Sequence, residues 1–329
     1  MQIISWIIGT LLQWYIWMPI VAVLMFLTWR NYRKIEDFTP IESVLLVLEI
    51  PRTNDKQELA AEQLFASLHG ILRDNKELRL SGGHQEHISF EIASVNGQIR
   101  FYVWVPKTLQ SFVEGQIYSQ YPTVQIHQAD EDYTEHERDH EVAYSTELTL
   151  TTDEFLPIRT FQNFEVDPLA GITGTLAKLE TTGEELWIQV LVRPIPDDWQ
   201  NAADRYINSI KNGRMFSLPG FGGSMQWLIG VLGALWQPPE QGVGQSTKIE
   251  LSDRDKTRIS EAEKKATKLG YEVKIRLVYM GESQTNAKLR MQALVGTFKQ
   301  FNSTNLNGFR AVKGAFGKEF IDKYRKRSF

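Results

Sequence analysis

Two pairs of histidines have a spacing that could bind a metal ion. His84 and His87 lie three residues apart, and His136 and His140 lie four apart with carboxylates nearby. Imidazole nitrogens and carboxylate oxygens are the usual non-sulfur ligands of zinc. However, His136 and His140 fall in residues 130–141, a run with seven acids and one arginine that is typical of a solvated linker. We therefore expect no metal ion or other cofactor, with a His136/His140 site as the alternative.

The composition restricts the remaining chemistry. The chain has no cysteine, so thiolate metal sites and a cysteine nucleophile are excluded. Residues 314–319 contain glycines and a lysine, but their spacing is not that of a phosphate-binding loop and no hydroxyl residue follows Lys318. The 36 basic residues are fewer than the 40 acidic ones, which argues against direct nucleic-acid binding. The sequence thus predicts a protein that is not an enzyme.

The N-terminal residues 1–34 predict a transmembrane anchor. No ionisable side chain occurs before Arg30, and the apolar run is long enough to cross a bilayer. The aromatic rings of Trp6 and Trp29 suit the two membrane interfaces, and Arg30, Arg33 and Lys34 follow the span. The positive charges place the N-terminus outside and the remaining body in the cytoplasm. The alternative is a buried helix of a soluble domain.

Residues 35–129 predict a first compact module. A strand at 44–50, a helix at 55–74, two strands at 87–95 and 98–105, a helix at 108–121 and a strand at 123–127 follow in order. Asn96 and Gly97 between the two middle strands are the strongest short signal for a hairpin turn. This order is that of a ferredoxin-like (βαββαβ) module, with both helices on one face of the sheet and the other face without helices.

Residues 142–312, after the acidic linker 130–141, predict a second module of the same kind. Its predicted strands are 142–150, 155–161, 185–193, 271–280 and 308–312, and its helices are 167–179 and 283–301. A helical insertion at about 195–269 interrupts its middle strands. The expected fold is α+β: an N-terminal transmembrane helix followed by two ferredoxin-like modules, the second with a helical insertion.

Two further segments have unusual composition. Within residues 213–250, the run Met225–Trp236 is almost wholly apolar but too short to span a bilayer. It would contact the membrane surface through Trp227, Leu228, Leu232 and Trp236, or else fold as a flap over a groove of the protein. The basic tail at 313–329 could contact acidic lipid or nucleic acid, or form the solvated face of a terminal helix.

Several strings resemble one known family. These are Ala60–Gly70, Ile88–Ile92, Gln98–Val103, Phe112–Pro122, Val273–Tyr279 and Phe301–Phe309. They are similar to the membrane-anchored N-terminal domain of type IV secretion or conjugation-like ATPases of candidate-phylum bacteria. The resemblance covers nearly the whole chain and carries no catalytic residues. Those ATPases continue into a motor domain, which this chain lacks, so the resemblance implies a split or truncated gene or a separate subunit.

The resemblance implies a function in translocation. We expect a non-enzymatic platform at the bacterial inner membrane, single-pass, that docks a conjugation-type ATPase. Membrane lipid, that ATPase and a second copy of the chain are the expected partners. The alternatives are a membrane-tethered enzyme or metal-binding protein that uses the His136/His140 loop, and a membrane-surface scaffold unrelated to secretion.

Overall fold

The computed structural model describes residues 17–26, 28, 42–51, 59–80, 83–135, 142–179, 183–211, 251–317 and 319–329. Contacts divide the chain into two units, Met1–Glu42 and Ser43–Phe329. In the first unit, residues 17–26 are helical and their side chains are exposed. Among the described residues of the whole chain, no helix is both long enough and apolar enough to cross a membrane.

The second unit is built on one antiparallel sheet. Its strands are β1 (Ser43–Glu49), β2 (Ile88–Val95), β3 (Gln98–Pro106), β4 (Gln125–Gln128), β5 (Val142–Leu150), β6 (Glu185–Ile195), β7 (Gly270–Gly281), β8 (Phe309–Ala311) and β9 (Ala315–Phe316). Their order across the sheet is β4-β1-β3-β2-β6-β7-β5-β8, and β9 also pairs with β5. The two central strands are therefore β2 and β6, which come from different halves of the chain.

Eight described helices connect or flank these strands. They are α1 (Leu59–Leu68), α2 (Asn75–Leu80), α3 (Gln110–Gln120), α4 (Pro168–Ala177), α5 (Gln200–Lys211), α6 (Asp253–Ala266), α7 (Gln284–Phe298) and α8 (Glu319–Arg325). Single 3₁₀ turns lie at His69–Ile71, Lys107–Leu109, Phe161–Asn163, Asp197–Trp199 and Lys299–Phe301. The helices α5 and α6 belong to the stretch between β6 and β7.

The structure corrects the predicted fold class. The architecture is α+β, but a transmembrane helix followed by two ferredoxin-like modules is wrong. All nine strands belong to one sheet, because β2 and β6 pair directly over seven residues. An isolated first module would leave the N–H and C=O groups of β2 unpaired at an edge, and β6 satisfies them. No helix in the described ranges could cross a membrane.

The hairpin between β2 and β3 sets which residues face each side of the sheet. Asn96 and Gly97 have φ values of 52° and 71°, as a two-residue primed turn requires. Val95 then pairs with Gln98, which confirms the hairpin predicted from the sequence. Since successive side chains alternate between faces, this register places Phe90 and Glu91 on opposite sides.

One face of the sheet packs against helices through two apolar cores. The first core joins β1, β2 and β3 to α1 and α3; its fully buried members include Leu46, Leu68, Val103, Val105 and Val113. The second core joins β5, β6 and β7 to α4 and α7; its fully buried members include Leu176, Leu186, Leu277, Tyr279 and Leu294. On α7 the buried positions Ala287, Met291, Leu294 and Phe298 follow helical spacing.

The segment 155–161 is not a strand as predicted. Phe155 and Leu156 are instead buried against α5 and α6 in a separate small core. The Asn307 side-chain amide donates to the carbonyls of Asp153 and Leu156 at 2.8 and 3.1 Å. These bonds satisfy two backbone carbonyls that would otherwise need a neighbouring strand, so the apolar run adopts turns here.

The other face of the sheet is covered by chain segments that follow no predicted pattern. Residues 129–135 and the C-terminal residues 319–329 lie across it, and Tyr133, Ile321 and Tyr324 are buried there against Trp104 and Trp187. The expectation of a sheet face without helices is therefore wrong at its centre. The basic tail is not simply a solvated helix, since Ile321, Tyr324 and Arg327 are buried.

Candidate functional site

A row of polar side chains crosses the middle of this second face. Strand register pairs Tyr102 with Glu91 and Glu91 with Gln189. The row continues from Gln189 to Arg276 and from Arg276 to Glu147. Residues directly opposite one another on paired strands project to the same side, so β3, β2, β6, β7 and β5 present one continuous polar row.

Glu91 is the centre of the row and is almost completely buried, with 1% of its surface exposed. The hydroxyl of Ser89 and the amide of Gln189 donate to its Oε1 at 2.7 and 2.9 Å. The hydroxyl of Tyr133 donates to its Oε2 at 2.8 Å. A buried carboxylate is costly unless it is hydrogen-bonded and paired with a cation, so these donors explain only part of its stability.

The cation is Arg327, whose side chain enters from the C-terminal segment. Its Nε and Nη2 donate to the two carboxylate oxygens of Glu91, each at 3.1 Å. The guanidinium also donates to both oxygens of Asp132, with Nη2 at 3.1 Å from Oδ1. Arg327 is 3% exposed. A fork of two parallel bonds on one carboxylate, with a second carboxylate beside it, is a geometry that a guanidinium satisfies and an ammonium does not.

The charges of this pocket keep its groups in defined protonation states. Burial acts to lower the pKa of Arg327, but the carboxylates of Glu91 and Asp132 outweigh it and raise that pKa. Burial acts to raise the pKa of Asp132, and the bonds from Arg327 lower it overall. Burial, reinforced by the charge of Glu91, raises the pKa values of Tyr133 and Tyr324. Arg327 is therefore charged and both phenols remain neutral donors.

The sheet also binds the main chain of the C-terminal segment. The Gln189 amide donates to the carbonyl of Tyr324 at 3.1 Å. The Arg276 guanidinium donates to the carbonyls of Lys323 and Ser328 at 3.3 and 2.7 Å. Two of these carbonyls belong to the last turn of α8, where intrahelical partners are missing and the helix dipole favours a cation.

His87 binds a fourth carbonyl. Its Nε2 lies 2.7 Å from the carbonyl oxygen of Arg327, and because a carbonyl only accepts, Nε2 carries the proton. Burial lowers the pKa of His87 to about 4, so the ring is neutral near pH 7. The ring stacks on Trp104 with centroids 5.2 Å apart and meets the edge of Phe329 at 5.5 Å.

Aromatic rings surround the buried part of the pocket. Tyr102 stacks on Tyr133 at 4.6 Å, Tyr133 meets Trp187 at 5.2 Å, and Trp187 lies 5.4 Å from Tyr324. The phenols of Tyr133 and Tyr324 are hydrogen-bonded to each other at 2.8 Å. Electrostatic interactions are stronger in such a low-dielectric environment. The rings therefore strengthen the attraction between Glu91 and Arg327.

Phe329 ends the contact surface. The guanidinium of Arg193 lies over its ring at 4.2 Å and the ammonium of Lys274 at 5.2 Å. Cations over an aromatic face are attracted by the ring quadrupole. The segment 319–329 is thus held by apolar anchors, a guanidinium pocket, four carbonyl contacts and an aromatic ring that contacts two cations.

This arrangement is suited to holding a peptide. The charged groups of the row are bonded to one another and to the segment, and a cavity of about 10 Å³ beside Ser145 and Tyr324 has room for about one water molecule. Within the described part of the chain, no group of three or more histidines and carboxylates could hold a metal ion. What the row accomplishes chemically is recognition of a guanidinium and of backbone carbonyls.

The site residues proposed from the sequence lie outside the part of the chain that the structure describes. The membrane-contacting residues Trp6, Trp29, Arg30, Arg33, Lys34, Trp227, Leu228, Leu232 and Trp236 lie outside the described residues. His136 and His140 lie outside them as well, so the alternative metal site stays a prediction. Of the first histidine pair, His87 serves to bind a carbonyl.

The sequence patterns do not identify the residues that form the pocket around Glu91 and Arg327. Asp132 belongs to a run that was interpreted as a solvated linker, and Arg327 to a basic tail. The usable signal is the presence of Glu91, Gln189 and Arg276 inside strands whose residues on the opposite face are mostly apolar. A charged residue in a central strand requires a buried partner, but the sequence does not state which residue supplies it.

Comparison with known protein families gives a match over most of the chain. The model described as Domain of unknown function (DUF8128) matches residues 39–325. The chain belongs to this family. The matched region contains all strands of the DUF8128 sheet, the polar row and Tyr324, and it ends two residues before Arg327. No curated protein matches the chain.

Proposed function

We propose that this DUF8128 chain is a non-enzymatic docking module of a type IV secretion or conjugation-like translocation system, which holds a motor ATPase. The single observation that supports a docking role is the second face of the sheet, which holds a peptide segment by its main chain and by one arginine. The translocation system and the ATPase come from the sequence resemblance alone. The location at the bacterial inner membrane likewise stays a prediction from the sequence.

The chemistry of the described site favours docking over catalysis. A catalytic site needs a titratable group that reaches a substrate-sized space. Here the carboxylate of Glu91 is enclosed by protein donors, and the adjoining cavity has room for about one water. Burial of this kind stabilises a bound segment and gives it one orientation, which is what a module that positions another protein requires.

The direct test is made in the organism that carries the gene. The tagged full-length chain is cross-linked in cells and purified, and the proteins bound to it are identified. We expect a conjugation-type ATPase to co-purify, and we expect deletion of the gene to displace that ATPase from the membrane. An ATPase that stays membrane-bound and fully active without the gene would contradict the proposal, as would ATP hydrolysis by the purified chain alone.

The same experiment distinguishes the docking proposal from the alternative of an enzyme or metal-binding protein that uses the His136/His140 loop. Replacing His136 and His140 with alanine removes both imidazoles of the candidate metal site. The docking proposal predicts unchanged co-purification and unchanged translocation in this variant. Loss of translocation with intact co-purification would favour the enzyme or metal-binding alternative.

A further inference from the structure

The sheet binds its C-terminal segment in the way that peptide-binding proteins bind their ligands. Gln189 and Arg276 of the sheet, together with His87 next to β2, donate to four carbonyls of the segment. Main-chain contacts of this kind give affinity for any peptide of the right shape. The pocket of Glu91 and Asp132 adds a requirement for one side chain, a guanidinium. The site therefore combines general backbone recognition with one specific anchor.

The helix-side cores and the central strand pairs are built without the segment. The two helix-side cores, as far as the chain is described, draw none of their residues from 319–329. The segment contributes Ile321 and Tyr324 to the core of the second face only. Immediately before it, the two residues of β9 pair with β5, and Gly317, whose φ is +127°, donates its N–H to the carbonyl of Ala143 at 3.2 Å. Lifting residues 319–329 would leave all the central strand pairs in place.

Without residues 319–329, the pocket would carry a negative charge that complements a guanidinium. Without Arg327, Glu91 and Asp132 would contribute two negative charges that no cation balances, since Arg276 is already bonded to Glu147 at 2.9 Å. A guanidinium neutralises this pair and fits its bidentate geometry. An apolar segment or an anionic ligand would leave the two carboxylates unpaired at high cost.

We propose that this face is a recognition site for a helix C-terminus followed by an arginine and an aromatic residue, and that residues 319–329 occupy it as a tethered, exchangeable ligand. In the chain the arginine is Arg327 and the aromatic residue is Phe329. A partner protein that presents the same elements replaces the tethered segment. This inference deepens the docking role proposed above and rests on it, but its test contains no ATPase, so the two can fail separately.

The test measures binding of a labelled peptide with the sequence of residues 319–329 to the full chain. In the Arg327→Ala variant the tethered segment has lost its anchor, so the peptide should bind at least about tenfold more tightly than it binds the wild type. Lys326→Ala, an exposed neighbour, is the matched control and should behave as the wild type. A peptide with lysine at the position of Arg327 should bind at least about tenfold more weakly, because an ammonium lacks the planar guanidinium fork.

Three results would overturn the proposal. They are no saturable binding to a folded Arg327→Ala variant, equal binding of the arginine and lysine peptides, and undiminished binding when Glu91→Gln is added to that variant.

A second measurement needs no variant and covers the case in which Arg327→Ala does not fold. Amide hydrogen exchange of the wild-type chain compares residues 319–329 with the central strands β2 and β6. An exchangeable segment opens without global unfolding, so its amides should exchange at least about tenfold faster than those of β2 and β6. Exchange of both regions at one common rate would show a permanently fixed segment and would overturn the proposal.

Discussion

The two faces of the sheet are built by different physical means. The helix-side face is apolar, and its first core joins helices and strands that lie close together in the sequence, such as α1 with β1 and β3. The second face contains a polar row, and its central contact joins residues 236 positions apart, Glu91 and Arg327. Apolar packing tolerates many partners of similar size, whereas a buried carboxylate requires one cation in one geometry. The first face is stabilised by apolar packing, and the second by a charge pair that accepts only one kind of partner.

The largest effect should come from breaking the second face. Arg327→Ala leaves the buried Glu91 and the partly buried Asp132 without their cation, and should lower the free energy of unfolding by about 3–5 kcal/mol. Urea unfolding of the purified chain measures this change. The exposed neighbour Lys326→Ala should change stability by less than about 0.5 kcal/mol. An equally small effect of Arg327→Ala would mean that the pair contributes no stability.

A truncation on the helix-side face should cost about as much for a different reason. Leu68 is fully buried in the core between α1 and the sheet, so Leu68→Ala should lower the free energy of unfolding by about 2–5 kcal/mol. Leu80→Ala on α2, where the side chain is 81% exposed, is the control and should have little effect. The Leu68→Ala loss should not depend on salt, because no charge is exposed or unpaired. A strongly salt-dependent loss would contradict the claim that apolar packing alone stabilises the helix-side face.

The stability of the second face should depend on pH through His87. Burial lowers the pKa of this ring from 6.5 to about 4, so below pH 6.5 the unfolded chain binds a proton that the native chain does not. Stability should therefore fall as the pH decreases from about 6.5 to 4, by about 1.4 kcal/mol per pH unit and about 3 kcal/mol in all.

A variant at the same position isolates this contribution from that of His84, whose pKa is lowered by burial as well. The His87→Gln side chain can still donate to the carbonyl of Arg327 but does not titrate. The difference between the wild type and His87→Gln should shrink toward low pH. Parallel profiles from pH 7 to 4 would show that His87 is protonated in the native state as readily as in the unfolded state.

The smallest effect concerns the turn that assigns residues to the two faces. Gly97 has a φ of +71°, which disfavours any side chain, so Gly97→Ala should cost about 1 kcal/mol. No atom within 4 Å would meet the added methyl group, so the cost is conformational only. Thermal unfolding should show a modest decrease with unchanged cooperativity. A loss of several kcal/mol would indicate that the strand register itself has shifted.

The parts of the fold that could be predicted are those with local signals. The strand alternation around Phe90 and the Asn96-Gly97 turn depend on neighbouring residues, and the structure contains the predicted β2–β3 hairpin. The pairing of β2 with β6 could not be predicted, because an apolar central strand does not encode the identity of its neighbour. The predicted strand at 155–161 is wrong because its apolar residues pack on α5 and α6 rather than in the sheet.

The candidate site was beyond sequence analysis for a related reason. Glu91 alternates with apolar residues, so its strand indicates a half-exposed position, and Asp132 and Arg327 lie in stretches of like charge. Each of the three residues is ordinary in its own context. Only the crossing of 129–135 and 319–329 over the sheet brings them together, and no local pattern encodes that crossing. Long-range charge pairs of this kind are visible only in three dimensions.

The central claim is that Glu91 and Arg327 act as one unit that holds the C-terminal segment on the sheet. A double-mutant cycle with Glu91→Gln, Arg327→Ala and the combined variant, measured by urea unfolding, tests this directly. The account predicts that the double variant is more stable than the sum of the single losses implies, with a coupling free energy of at least about 1.5 kcal/mol. Additive losses, with a coupling below about 0.5 kcal/mol, would contradict it.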